Sequence, residues 1–147
     1  MTLYSFLLHL HSGLRYIVLL LALVAIIRAW ADLLGNKAYS EGNRKLNLFA
    51  MISVHTQLLV GLVLYFVSPF VKFGSDTMKD AVTRYWTVEH LTGMIIAIAI
   101  ITVGHARSKR GVTPAAKHKA IAIFYTLALV IIVVTIILSK RNLLGMS

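Results

Sequence analysis

Four uninterrupted apolar stretches, each about as long as a lipid hydrocarbon layer is thick, decide what this chain can become. Crossing about 30 Å of hydrocarbon at about 1.5 Å per residue takes about 20 residues. The windows 4–33, 46–70, 85–106 and 118–139 each supply that length. They are continuous, as in LLLALVAII (19–27) and AIAIFYTLALVIIVVTIIL (120–138), whereas lipid-facing barrel strands would alternate apolar with polar residues. The connectors GNKAYSEGNRK (35–45), KFGSDTMKDAVTR (72–84) and ARSKRGVTPAAKHK (106–119) are polar and short enough to join antiparallel neighbours. Two prolines and no low-complexity tract mark no linker. The expected architecture is all-α: an integral-membrane, up-down four-helix bundle forming one domain over 1–147.

Composition agrees and narrows the function classes. With 59% hydrophobic residues, 14% charged residues and a mean hydropathy of +0.81, the chain lies outside the range of soluble globular domains. The net charge of +10, from 15 Lys plus Arg against 5 Asp plus Glu, therefore points to lipid head groups rather than nucleic acid. The absence of cysteine excludes disulfides, thiolate zinc sites, iron–sulfur clusters and covalently attached haem. Lys and Arg favour cytoplasmic loops. Arg28, Lys37, Arg44, Lys45, Arg107, Lys109, Arg110, Lys117 and Lys119 flank the 1–2 and 3–4 connections; Arg15, Lys72, Lys79, Arg84, Lys140 and Arg141 lie on the other side, offset by Asp76 and Asp80. Both termini are thus expected outside the cytoplasm, on the periplasmic face of a bacterial inner membrane. No cleaved signal peptide is expected, because no Lys or Arg precedes the first apolar stretch.

An ionisable group within a membrane span is costly, so each is a functional candidate. Histidines stand at 9, 11, 55, 90, 105 and 118. At about 100° per residue His90 and His105 project within about 60° of each other, about 22 Å apart along the helix. That places one near each membrane surface. Gly93, Ala97 and Gly104 share this face, and small residues beside an imidazole leave room for something flat and wide. A porphyrin has those needs: an axial imidazole, a neighbouring position without bulk, and an opposing ligand on a second helix. In the outer tier His11 is the expected partner of His90, with Arg15 one turn below to meet a haem propionate; the alternative is His9 with Gly13 beside it. In the inner tier His105 and His118 lie at similar depth. His55, about 15 Å in from the surface, is a third candidate there, since an unpaired imidazole in hydrocarbon needs a partner.

Each of these features also has a plain structural reading. His105 and His118 sit at helix ends beside cations, where interfacial histidines belong, and Gly93 and Ala97 serve helix packing equally well. Glu89 and Arg15 suggest an ion pair, and Tyr85 with Trp86 an interfacial aromatic belt. HLH at 9–11 is a poor chelating pair in a helix because its rings diverge, which disfavours copper or zinc.

The segments HLHSGLRY (9–16), HTQLLVGLVLYFVSPF (55–70), RYWTVEHLTGMIIAIAIITVGHARSK (84–109) and AKHKAIAIFYTLALVII (116–132) resemble the small four-helix bacterial membrane proteins labelled cytochrome b. The resemblance covers nearly the whole chain. It implies non-covalent haem b, one or two groups with two imidazole ligands per iron, exchanging electrons with quinol or a larger respiratory complex. Carried over by position, His11 with His90 forms the first pair, and His105 with His55 or His118 the second. His55 departs from the pattern by sitting too near the midplane. The rival readings are a haem-free accessory or assembly subunit and a haem-handling protein. No substrate cleft can be read, so no catalysed reaction is assigned.

Overall fold

The computed structural model describes residues 2–139; Met1 and residues 140–147, with the Lys140 and Arg141 used in the charge comparison, lie outside the described residues. Four long helices dominate: α1 Leu3–Leu34, α2 Glu41–Val67, α3 Ala81–Arg110 and α4 Pro114–Leu138. All four are long and apolar enough to cross a membrane, and no strand occurs among the described residues. The fold is the all-α four-helix bundle read from the sequence.

Each helix starts where a short polar side chain can satisfy an otherwise unpaired amide. Thr2 accepts from the Ser5 amide (3.0 Å), Asp80 from Thr83 (2.9 Å) and Thr113 from Ala116 (3.0 Å). Ser40 and Asn43 form a reciprocal capping box. Hydrogen bonds from the Thr83 hydroxyl and amide also hold the Asp80 carboxyl below the ordinary carboxylate range. Pro114 occupies the first turn of α4, where its missing N–H costs nothing. The third helix begins before the apolar window at 85, and it changes pitch over Tyr85–Glu89, where one turn is π-helical. Such a turn takes in an extra residue and rotates everything after it.

The packing pairs are α1–α2, α2–α3, α3–α4 and α4–α1, with α2–α3 the lightest. The helices therefore form a square, and α1 faces α3 across its middle. The core is rich in alanine: Ala22, Ala25, Ala29, Ala50, Ala97, Ala122 and Ala128 are all buried. Small side chains let membrane helices approach closely, and glycine allows the tightest contacts. A Cβ on Gly93 would lie 2.5 Å from the Thr135 hydroxyl oxygen, and one on Gly104 would overlap Phe124 Cβ. Outward, Leu20, Ile27, Leu59, Val130 and Ile137 are more than half exposed, a surface suited to acyl chains and a liability in water.

The end carrying the α1–α2 and α3–α4 connections is tied by polar contacts. Tyr125 donates to the Asn47 carbonyl (2.8 Å), Asn47 donates to the Tyr39 hydroxyl (3.0 Å), and His118 Nε2 reaches the carbonyls of Lys37 (3.1 Å) and Ala38 (3.3 Å). Nearer the middle, the Trp30 indole donates to Thr126 (3.0 Å).

Candidate functional site

At the opposite end the square opens into a cavity of about 170 Å³, whose polar lining includes His11 and Arg15 of α1, Gln57 and Tyr65 of α2, and His90 of α3. His11 and His90 face each other across it from the two diagonal helices, with ring centroids 6.3 Å apart and planes inclined at 74°. A metal–imidazole bond is about 2 Å and the ring centre lies about 1 Å beyond the nitrogen, so two imidazoles sharing one metal ion have centroids about 6 Å apart. The observed spacing matches. His9 is exposed, with Nδ1 2.7 Å from the Ser5 carbonyl, so His11 is the imidazole that α1 turns inward.

Open space and buried polar atoms surround His11. Its Nδ1 is buried with no hydrogen-bond partner among the described residues, as is Gln57 Oε1. Gln57 spends its amide on the His11 carbonyl (2.7 Å), anchoring the α1 backbone to α2 at this level. A buried polar atom without a partner costs roughly 1–3 kcal/mol, and both of these atoms belong to residues that line the cavity. Gly61 supplies the space: a Cβ there would lie 2.9 Å from His11 Cε1. Gly61→Ala is therefore expected to push the His11 ring aside and weaken any metal-centred ligand held by the pair about 10-fold, in the range seen when ligand orientation is disturbed. Titration of ferric haem into the purified variant measures this.

His90 is held by the π-helical turn that precedes it. Tyr85 and His90 are five residues apart, and the wider turn brings their rings to 5.8 Å, with Trp86 5.2 Å from His90. Tyr85 is only 5% exposed; its hydroxyl donates to the Thr135 carbonyl (2.6 Å) and lies 3.3 Å from His90 Nδ1. Tyr85 is thus a buried part of the site rather than a member of an interfacial belt. Sequence reasoning missed it, and missed Gly61. Glu89 pairs with Arg84 (2.7 Å) and not with Arg15; the Arg15 guanidinium lies 5.4 Å from the Tyr16 ring.

Of the other candidates read from the sequence, Gly93, Ala97, His55 and His118 make their contacts away from this cavity, and His105 lies apart from it. Gly93, expected to leave room beside His90, receives Thr135 of α4, and Ala97 is fully buried in the core. The small size of Gly93 serves the α3–α4 contact. His55 Nε2 lies 2.8 Å from the Thr102 hydroxyl, whose own hydrogen goes to the Ile98 carbonyl (2.7 Å). A hydroxyl has one hydrogen to give, so His55 is the donor, and the partner it needed is on α3. His118, bonded to two loop carbonyls, fastens α4 to the α1–α2 connection. His105 is buried, with Nδ1 unpartnered among the described residues. Among these residues no ring contact joins His55, His105 and His118 to one another, and no group of three or more His, Cys, Asp or Glu side chains is placed to hold a metal ion.

Searches with this chain against protein-family models, curated proteins and solved structures return no match.

Proposed function

We propose that the chain is a membrane b-type cytochrome that holds one haem b between His11 and His90 and carries electrons within a bacterial respiratory chain. The observation that carries this reading is the 6.3 Å separation of the two imidazoles across a lined cavity. Two nitrogens are too few for a bare ion, since first-row metals in proteins take four or more donors. A metal held here has to bring its equatorial ligands with it, as a porphyrin does. Haem supplies a one-electron couple when bound.

The chain's own residues do the rest. His11 of α1 and His90 of α3 would supply the two imidazole nitrogens that hold the group. Gly61 leaves the space that the His11 ring occupies. Arg15 brings a cation to the cavity wall, where a carboxylate of the ligand finds a charge-assisted partner. The apolar walls, including Val18, Leu58 and Ile98, exclude water. Quinol in the bilayer, or a larger respiratory complex, is the electron partner this reading implies. The cation excess beside the α1–α2 and α3–α4 connections supports placing that end in the cytoplasm and both termini in the periplasm.

The test is optical and stoichiometric. Protein purified in mild detergent is expected to show a reduced-minus-oxidised α band and one haem per chain. A colourless preparation that stays colourless when ferric haem is added overturns the proposal and favours the haem-free accessory subunit.

A further inference from the structure

We infer that Tyr85 is the positioning residue of His90: it accepts the hydrogen of Nδ1, which makes Nε2 the unprotonated nitrogen of the ring. The inference deepens the cytochrome reading, and its usefulness to a haem rests on that reading. Counting hydrogens sets the direction of each bond. A phenol has one O–H to donate, and in this structure the Thr135 carbonyl takes it at 2.6 Å. The Tyr85 oxygen then faces His90 Nδ1, at 3.3 Å, with lone pairs only. The hydrogen in that contact must come from the imidazole. A neutral imidazole carries one ring hydrogen, so fixing it on Nδ1 leaves Nε2 unprotonated.

The backbone makes this contact possible. In an ordinary α-helix, residues five apart are rotated about 140° from one another and do not meet. The π-helical turn over Tyr85–Glu89 adds a residue to the turn and brings position 85 under position 90. Single π turns recur at functional sites, and here the turn ends at an imidazole that lines the cavity. Tyr85 is itself immobilised by burial and by its bond to α4. The orientation of His90 is therefore set from a third helix. Histidines that ligate metals usually give their other ring hydrogen to such an acceptor, which fixes the ring and raises its basicity.

Tyr85→Phe keeps the ring and removes the acceptor. Two measurements on the full-length protein in detergent decide the matter. In the first, nitrogen chemical shifts of labelled histidine, assigned by loss of the signal in His90→Gln, report the His90 tautomer without added haem. Wild type is expected to show the hydrogen on Nδ1, and Tyr85→Phe a shift toward the Nε2–H form. In the second, with haem b bound, Tyr85→Phe is expected to raise the midpoint potential, because a less basic axial imidazole stabilises ferric iron less. Haem affinity is expected to fall about 10-fold. A Tyr85 that only packs would move neither the tautomer nor the potential. The inference is overturned if wild-type His90 carries its hydrogen on Nε2, a result that stands even if the variant fails to fold, or if Tyr85→Phe leaves tautomer and potential unchanged. Failure of wild type to take haem sinks the cytochrome reading separately, since the tautomer measurement needs no haem.

Discussion

Replacing His90 with alanine is expected to lower haem affinity by more than about 100-fold, beyond the 10- to 100-fold that follows when only the support of a ligand is disturbed. His11→Ala should match it, because the two rings face each other across one cavity and neither has a substitute there. The measurement is a titration of ferric haem into protein stripped of its colour, followed in the Soret band. Millimolar imidazole should restore binding to either variant by filling the space the ring leaves. By contrast, His9→Ala, His55→Asn and His118→Asn should each retain about one haem per chain, since those rings are spent on Ser5, Thr102 and the loop carbonyls. A His90→Ala protein that keeps a low-spin two-imidazole spectrum, while a His55 or His105 variant loses it, would place the iron in the other half of the bundle.

The largest effect on stability is expected at Gly104, with haem binding spared. A methyl group there overlaps Phe124 Cβ, an atom too close to the α4 backbone to swing away. Overpacking a filled interior costs about 1–3 kcal/mol, and Gly104→Ala should reach the upper part of that range by forcing α3 from α4. Gly93→Ala meets the Thr135 side chain instead, and should cost less because Oγ1, unlike a Cβ, can move by rotation about the Cα–Cβ bond. Equilibrium unfolding in mixed detergent micelles, read by circular dichroism, compares the two. A Gly104→Ala protein as stable as wild type would mean that α3 and α4 do not approach so closely.

The spans, their number and their order were legible because hydrocarbon thickness leaves a continuous signature of about 20 residues. The sequence set His11 against His90 from their matching depth and preferred it to His9 for Arg15 one turn below, with His9 kept as the alternative; the rings of His11 and His90 do face each other. What escaped the sequence depends on the rotation of one helix about its own axis relative to another. Gly93 lies about 60° from His90, a sector wide enough to point at the cavity or at α4, and it points at α4. Gly61 means nothing until α2 is known to set it against His11. Tyr85 was misread for a different reason: a uniform advance of about 100° per residue separates it from His90, and the π turn breaks that advance just there. Arg84, rather than Arg15, meets Glu89 through the same local geometry.

The square arrangement of the helices has a mechanical implication. Four rods joined only along their sides can lean over like a hinged frame without breaking any joint. A strut across the diagonal stops that motion. His11 and His90 sit on opposite corners, so a ligand gripped by both would stiffen the whole assembly against shear, and a protein without one should relax sideways before it comes apart.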